Sequence, residues 1–188
     1  SVVAALDSST ALRRALTDSS RDAKDKAALA TNLFGAKIGA KASSLLTEIA
    51  SLRWSSPSNL GDALEQLAIE ASASAANIAG ELDRLEDELF AFSKVVASNP
   101  ELRQALSASK YSGEAKRELV GEIMKGKISA STSSLLSHLV SGLRGRNIEG
   151  TIAFYSAATA ERRNRVIALV RSAIALTTSQ RDALEKTL

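Results

Sequence analysis

The chain has 188 residues, 45% of them hydrophobic but only 4% aromatic, with 24 Lys/Arg against 21 Asp/Glu. Zero cysteines exclude disulfides, thiolate zinc sites and thiol nucleophiles, and fit a reducing compartment. No stretch approaches the roughly 18 uninterrupted apolar residues that cross a bilayer, and Ser1 opens a segment lacking the basic start and apolar run of a signal peptide.

The net charge of +3 is unevenly spread. Residues 1–140 carry 16 basic and 17 acidic side chains, whereas residues 141–188 carry 8 and 4. Nothing resembling a set of base-reading aromatics accompanies that basic end, so a face for an acidic protein partner is preferred over nucleic acid. The apolar surface comes from Ala, Leu, Ile and Val, and there are two prolines. That composition predicts a protein that is all-α in the main, with helices packed closely through small side chains.

An internal repeat organises the first two thirds. Residues 12–46 align without gaps on 102–136, with 14 of 35 positions identical, against roughly three expected by chance in so Ala/Ser/Leu-rich a chain. Leu12-Arg13-x-Ala15-Leu16 recurs as Leu102-Arg103-x-Ala105-Leu106, and Ser43-Ser44-Leu45-Leu46 as Ser133-Ser134-Leu135-Leu136. Two tandem duplicated helical bundles are therefore expected. Residues 1–56 form a partial first bundle, 57–163 a six-helix bundle, and 164–188 the start of a small C-terminal α/β domain. Because residues 1–10 already correspond to 91–100, the chain is expected to begin inside a longer protein.

The boundaries have local causes. Ser56-Pro57 caps and starts a helix, since proline tolerates a first turn that needs no N–H. From there Leu60, Leu64, Leu67, Ala68, Ala71, Ala75 and Ile78 are predicted to share the core face. Leu82, Leu85, Leu89, Phe92 and Val96 keep a 3-4-3-4 spacing suited to close antiparallel packing. Asn99-Pro100 starts another helix, and further helices are expected near 112–125, 129–142 and 147–163. Residues 165–171 read as a short buried strand, and Thr177 with Gln180 as the capping box of a last helix.

Catalytic candidates are few. His138, the only histidine, sits among Leu135, Leu136, Leu139 and Val140 and reads as a satisfied or surface imidazole. The acidic run Glu81, Asp83, Glu86, Asp87 and Glu88 reads as a solvated helix start favoured by the helix dipole. No phosphate loop or dinucleotide fingerprint is present, so no catalytic residue, metal or cofactor is expected. The interactive features are the alanine-rich helix at 57–79 and the wide apolar face at 129–142. Together they suit an amphipathic partner helix, although contact between the bundles would explain the same width.

Leu82-x-x-Leu85-Glu86-Asp87-Glu88-Leu89-Phe90 followed by Asn99-Pro100-Glu101-Leu102-Arg103-x-x-Leu106 resembles the δ subunit of bacterial F-type ATP synthases, a relative of the mitochondrial oligomycin-sensitivity-conferring protein. The likeness runs through Ala115-Lys116-x-x-Leu119, Leu135-Leu136-x-x-Leu139-Val140, Arg144-Gly145-Arg146-x-Ile148 and Ile152-x-x-Tyr155 to Val166, Ala173 and Leu176-Thr177. Residues 1–60, with Arg53-Trp54-Ser55-Ser56-Pro57, resemble the extra duplicated segment of actinobacterial δ subunits, some of which are fused behind a membrane-anchored b segment.

The resemblance implies a non-catalytic peripheral-stalk subunit on the cytoplasmic face of the plasma membrane, associated with the membrane only through its complex. It implies that N-terminal helices of the α subunits bind between the first and fifth helices of the bundle, here about 57–79 and 129–142. Leu64, Ala68, Ala71 and Ala75 would then face Leu135, Leu136, Leu139 and Val140. The b subunit would meet the basic segment with Arg144, Arg146, Arg162, Arg163 and Arg165. The alternative is a helical adaptor or nucleic-acid-associated module that uses the basic C-terminal segment.

Overall fold

The computed structural model describes residues 1–161 and 177–187. They form the helices α1 (Val2–Ser8), α2 (Thr10–Thr17), α3 (Ala23–Phe34), α4 (Ala40–Ser51), α5 (Pro57–Ile78), α6 (Leu82–Ser98), α7 (Pro100–Ser107), α8 (Gly113–Met124), α9 (Ala130–Ser141), α10 (Ile148–Glu161) and α11 (Thr178–Thr187), and no strand is present among the described residues. The strand expected at 165–171 lies outside them.

Side-chain caps set most of the starts. Ser1, Ser9, Ser56, Asn99, Ser112 and Ser129 each accept a hydrogen bond from a backbone N–H in the first turn of the helix they precede, satisfying a donor with no intrahelical partner. Pro57 and Pro100 occupy first-turn positions. At α11 the capping box closes both ways, with Gln180 N donating to Thr177 Oγ1 (3.3 Å) and Thr177 N to Gln180 Oε1 (3.0 Å). The end of α5 is a Schellman turn: Gly80 takes φ +71°, Glu81 N donates to Ala76 O (2.8 Å) and Gly80 N to Asn77 O (3.1 Å).

Two apolar cores result. The first gathers Leu6, Leu16, Ala30, Phe34, Leu46, Ile49, Ala50 and Leu60 from α1 to α5. The second gathers the α6 stripe Leu82, Leu85, Leu89, Phe92 and Val96 with the inner faces of α7 to α10 and with Ile69, Ala73 and Ala76 of α5. The bounds of α2, α3 and α4 recur, shifted by 90 residues, as those of α7, α8 and α9. Likewise α5 packs on α1, α2 and α4 as α10 packs on α6, α7 and α9. A single 22-residue helix thus closes the first bundle and opens the second.

The core face of α5 differs from the expected stripe. Leu60, Gly61, Glu65, Ile69, Ala73 and Ala76 are buried, while Ala68, Ala71 and Ala75 are exposed and Ile78 is 84% exposed. Alanine occurs on nearly every side of this helix, so hydrophobic periodicity alone does not orient it. The two cores do, by drawing in one leucine at the start and one isoleucine in the middle. Leu64 and Leu67 lie half-buried against the first core.

Candidate functional site

α5 and α9 pack against each other along the second bundle. On α9, Leu135, Leu136, Leu139 and Val140 are all 0–2% exposed, so they are core residues that hold the helix down. On α5, Ala68, Ala71 and Ala75 are exposed and fall at spacings of three and four, on one side of the helix, whereas Leu64 is half-buried against the first core. Of the eight residues expected to face one another, the four on α9 are core, three on α5 are exposed and Leu64 is half-buried. His138 is exposed on α9.

The position of α9 is fixed from α6. The Glu88 carboxylate accepts from Ser129 N (2.9 and 3.1 Å) and Ser129 Oγ (3.0 Å), and pairs with Arg84 Nε (2.7 Å). Ser131 Oγ donates to Glu81 Oε2 (3.1 Å). Two members of the acidic run are thus anchors for the start of α9, where N–H groups and the helix dipole favour negative charge. Burial acts to raise the Glu88 pKa, but hydrogen bonds from Thr132, Ser129 and Arg84 outweigh it and hold the carboxyl below its ordinary 4.5. Ser129 lies 41 residues from Glu88 and Ser131 lies 50 from Glu81, which is why spacing did not reveal these anchors.

Between α8 and α9 lies a shallow groove of about 320 Å³, lined by Val120, Gly121, Met124, Ile128, Ser133 and Leu136 among others. Among the described residues no group of three acidic or histidine side chains is placed to hold a metal, and no helix is long and apolar enough to cross a membrane.

The expected basic segment is not a free surface where it is described. The Arg144 side chain is 8% exposed and pairs with Asp7 (2.6 Å), Asp62 (2.8 Å) and Glu65 (3.2 Å). Arg146 pairs with Glu65 (2.6 Å) and lies over the Phe154 ring at 4.6 Å. Burial would lower the Arg144 pKa, but the hydrogen bond to Asp62 and the charges of Asp7, Asp62 and Glu65 raise it. Burial first, then the Glu65 charge, pushes the Tyr155 phenol above its ordinary 10.0. One signal of this cluster was readable: Glu65 falls at helical spacing between Gly61 and Ile69, a carboxylate on a core face that requires a cation. Arg162, Arg163 and Arg165 lie outside the described residues.

The polar clusters therefore join helices to one another, and the described residues form an all-helical scaffold. The sequence comparisons give the family. The family model for the ATP synthase delta (OSCP) subunit matches residues 69–188. The "ATP synthase subunit delta" of Streptomyces avermitilis is 43% identical over 183 residues, covering 97% of this chain and 67% of that protein. That of Thermobifida fusca is 37% identical over 187 residues, covering 100% and 70%, and that of Nocardia farcinica 38%, covering 100% and 69%. The chain belongs to the ATP synthase delta (OSCP) subunit family.

Proposed function

We propose that this protein is a non-catalytic peripheral-stalk subunit of an actinobacterial F-type ATP synthase. In this reading it links the α/β catalytic head to the b stalk on the cytoplasmic face of the plasma membrane, and resists rotation of the head during proton-driven ATP synthesis. The observation that carries the reading is family membership across residues 69–188, which include most of the second bundle and the C-terminal segment. The exposed alanines of α5 support the reading. Ala68, Ala71 and Ala75 leave one side of α5 open to close approach by another helix, and Leu135, Leu136, Leu139 and Val140 seat α9, which packs on α5, in the core. The proposed occupant is the N-terminal helix of an α subunit, docking as an amphipathic helix in a groove. Arg162, Arg163 and Arg165 would contribute the contact with the b subunit, since Arg144 and Arg146 are neutralised within the chain.

The test is calorimetric titration with a synthetic peptide of the α subunit N-terminus at low and high salt. Ala71→Glu changes an exposed side chain, so helicity is retained while affinity falls at least ~10-fold, the cost of one misplaced charge at an apolar contact. Unchanged affinity in the folded variant would remove this groove from consideration. The adaptor reading predicts instead an affinity for nucleic acid that drops steeply with salt.

A further inference from the structure

α5 contributes Leu60 to the first core and Ile69, Ala73 and Ala76 to the second. One helix shared by two bundles fixes their separation along its axis but leaves rotation about that axis to other contacts. The loop after α9 supplies one such contact. Arg144 reaches from this loop across α5 to α1, pairing with Asp62 and Glu65 on α5 and with Asp7 on α1. The passage is possible because position 61 is glycine: a Cβ there would stand 2.6 Å from Nη2 and 2.8 Å from Nη1 of Arg144. The loop is shaped for the reach, with Arg144 at φ +52° and Gly145 at φ +80°. A non-glycine residue holds the left-handed region where its surroundings over-determine it, and here three carboxylates do so.

We infer that Arg144 is a pin that locks the two bundles into one rigid body, by joining the first bundle's α1, the shared α5 and the second bundle's α9–α10 loop at a single guanidinium. The second guanidinium, Arg146, holds Glu65 from its other side, so Glu65 cannot swing away with a rotating α5. Rigidity matters to a protein that transmits force between two attachments, although the pin is independent of what those attachments are.

The absence of native cysteines allows site-specific spin labelling without background. Cysteines replace Ser44 on α4 and Glu118 on α8, both exposed, and the distance distribution between them is measured in the full chain. The parent gives one narrow distribution. Arg144→Ala broadens it at least about twofold, as expected for released domain motion. Gly61→Ala, with every charge retained, obliges the guanidinium to shift and gives a smaller broadening than Arg144→Ala. Arg144→Lys, which keeps the charge but cannot hold three carboxylates at once, falls between. A control pair at Glu118 and His138, within the second bundle, keeps its width in every variant. An unchanged Ser44–Glu118 distribution in helical Arg144→Ala would overturn the inference. Should that variant fail to fold, an unchanged distribution in Asp7→Ala, which cuts the link to α1 at an exposed side chain, would do so.

Discussion

The α3–α4 hairpin and the α8–α9 hairpin have equal lengths and matching bounds at a 90-residue offset, yet they meet their surroundings differently. In the first, Thr31 Oγ1 and Thr47 Oγ1 lie 3.1 Å apart and tie the helices together. In the second, the same positions hold Gly121 and Ser137, and both line an open groove. Lys26 is 2% exposed and donates to Leu52 O at 2.6 Å. Its counterpart Lys116 is 8% exposed, but its acceptor position is taken by Gly142, whose φ of −159° replaces the −68° of Leu52. Leu45 is 45% exposed where Leu135 is 2%. The comparison shows that a shared pattern specifies the hairpin, while burial of its outer face is decided by what packs on it. In the second bundle α5, α6, α8 and α10 all pack on α9, whereas in the first α2, α3 and α5 pack on α4.

The sharpest way to break the equivalence is truncation at the matched leucines. Leu135→Ala removes a side chain enclosed by the second core and is expected to cost ~2–5 kcal/mol, transfer plus cavity. Leu45→Ala, from the same local sequence Ser-Ser-Leu-Leu, is expected to cost less than ~1 kcal/mol, because half the side chain is already in water. Urea denaturation of both variants measures the difference. Equal losses would mean that the two faces are equally covered in solution.

A smaller effect tests the anchoring of the second hairpin. α9 begins at Ser129, gripped by Glu88, whereas α4 begins at Gly39 with no side-chain cap bond. Glu88→Gln replaces a carboxylate by an amide and is expected to cost ~1–2 kcal/mol at neutral pH. The folded Glu88 pKa lies below the ordinary 4.5, so its contribution is complete above that value and is lost as pH falls through the folded pKa. The parent and Glu88→Gln should therefore converge in acid. A stability difference independent of pH would show that Glu88 acts by packing and not as a charged cap.

Local signals were legible where the cause is local. Ser56-Pro57, Asn99-Pro100 and Thr177 with Gln180 marked helix starts, and the 3-4-3-4 leucines of α6 gave a stripe that is 0–1% exposed. What escaped was set by distant partners. The face of α5 could not be read from its alanines, and the acidic run looked solvated because Ser129 is 41 residues from Glu88. Arg144 and Arg146 looked like a free basic surface because Asp7 is 137 residues from Arg144 and Glu65 is 81 from Arg146. The resemblance supplied the family, but family likeness carries no information about pairs formed between the two bundles.

The smallest expected effects come from the two buried lysines, and they differ in sign. Lys26→Met keeps the length of the side chain but removes the donor to Leu52 O, and is expected to cost ~1 kcal/mol. Lys116 has no hydrogen-bond partner among the described residues to compensate its burial, and that burial depresses its pKa below 10.5. Its charged form is therefore a net penalty in the fold, and Lys116→Met is expected to be neutral or stabilising by a few tenths of a kcal/mol at neutral pH. Between the folded pKa and 10.5 the unfolded chain binds the proton that the folded one has lost, so the parent gains stability as pH rises. The advantage of Lys116→Met should then shrink toward pH 10.5, and the Lys26→Met deficit is compared at neutral pH. If the two methionine variants lost the same stability at neutral pH, the matched lysines would be equivalent and the open C-terminal end of α9 would have no energetic consequence.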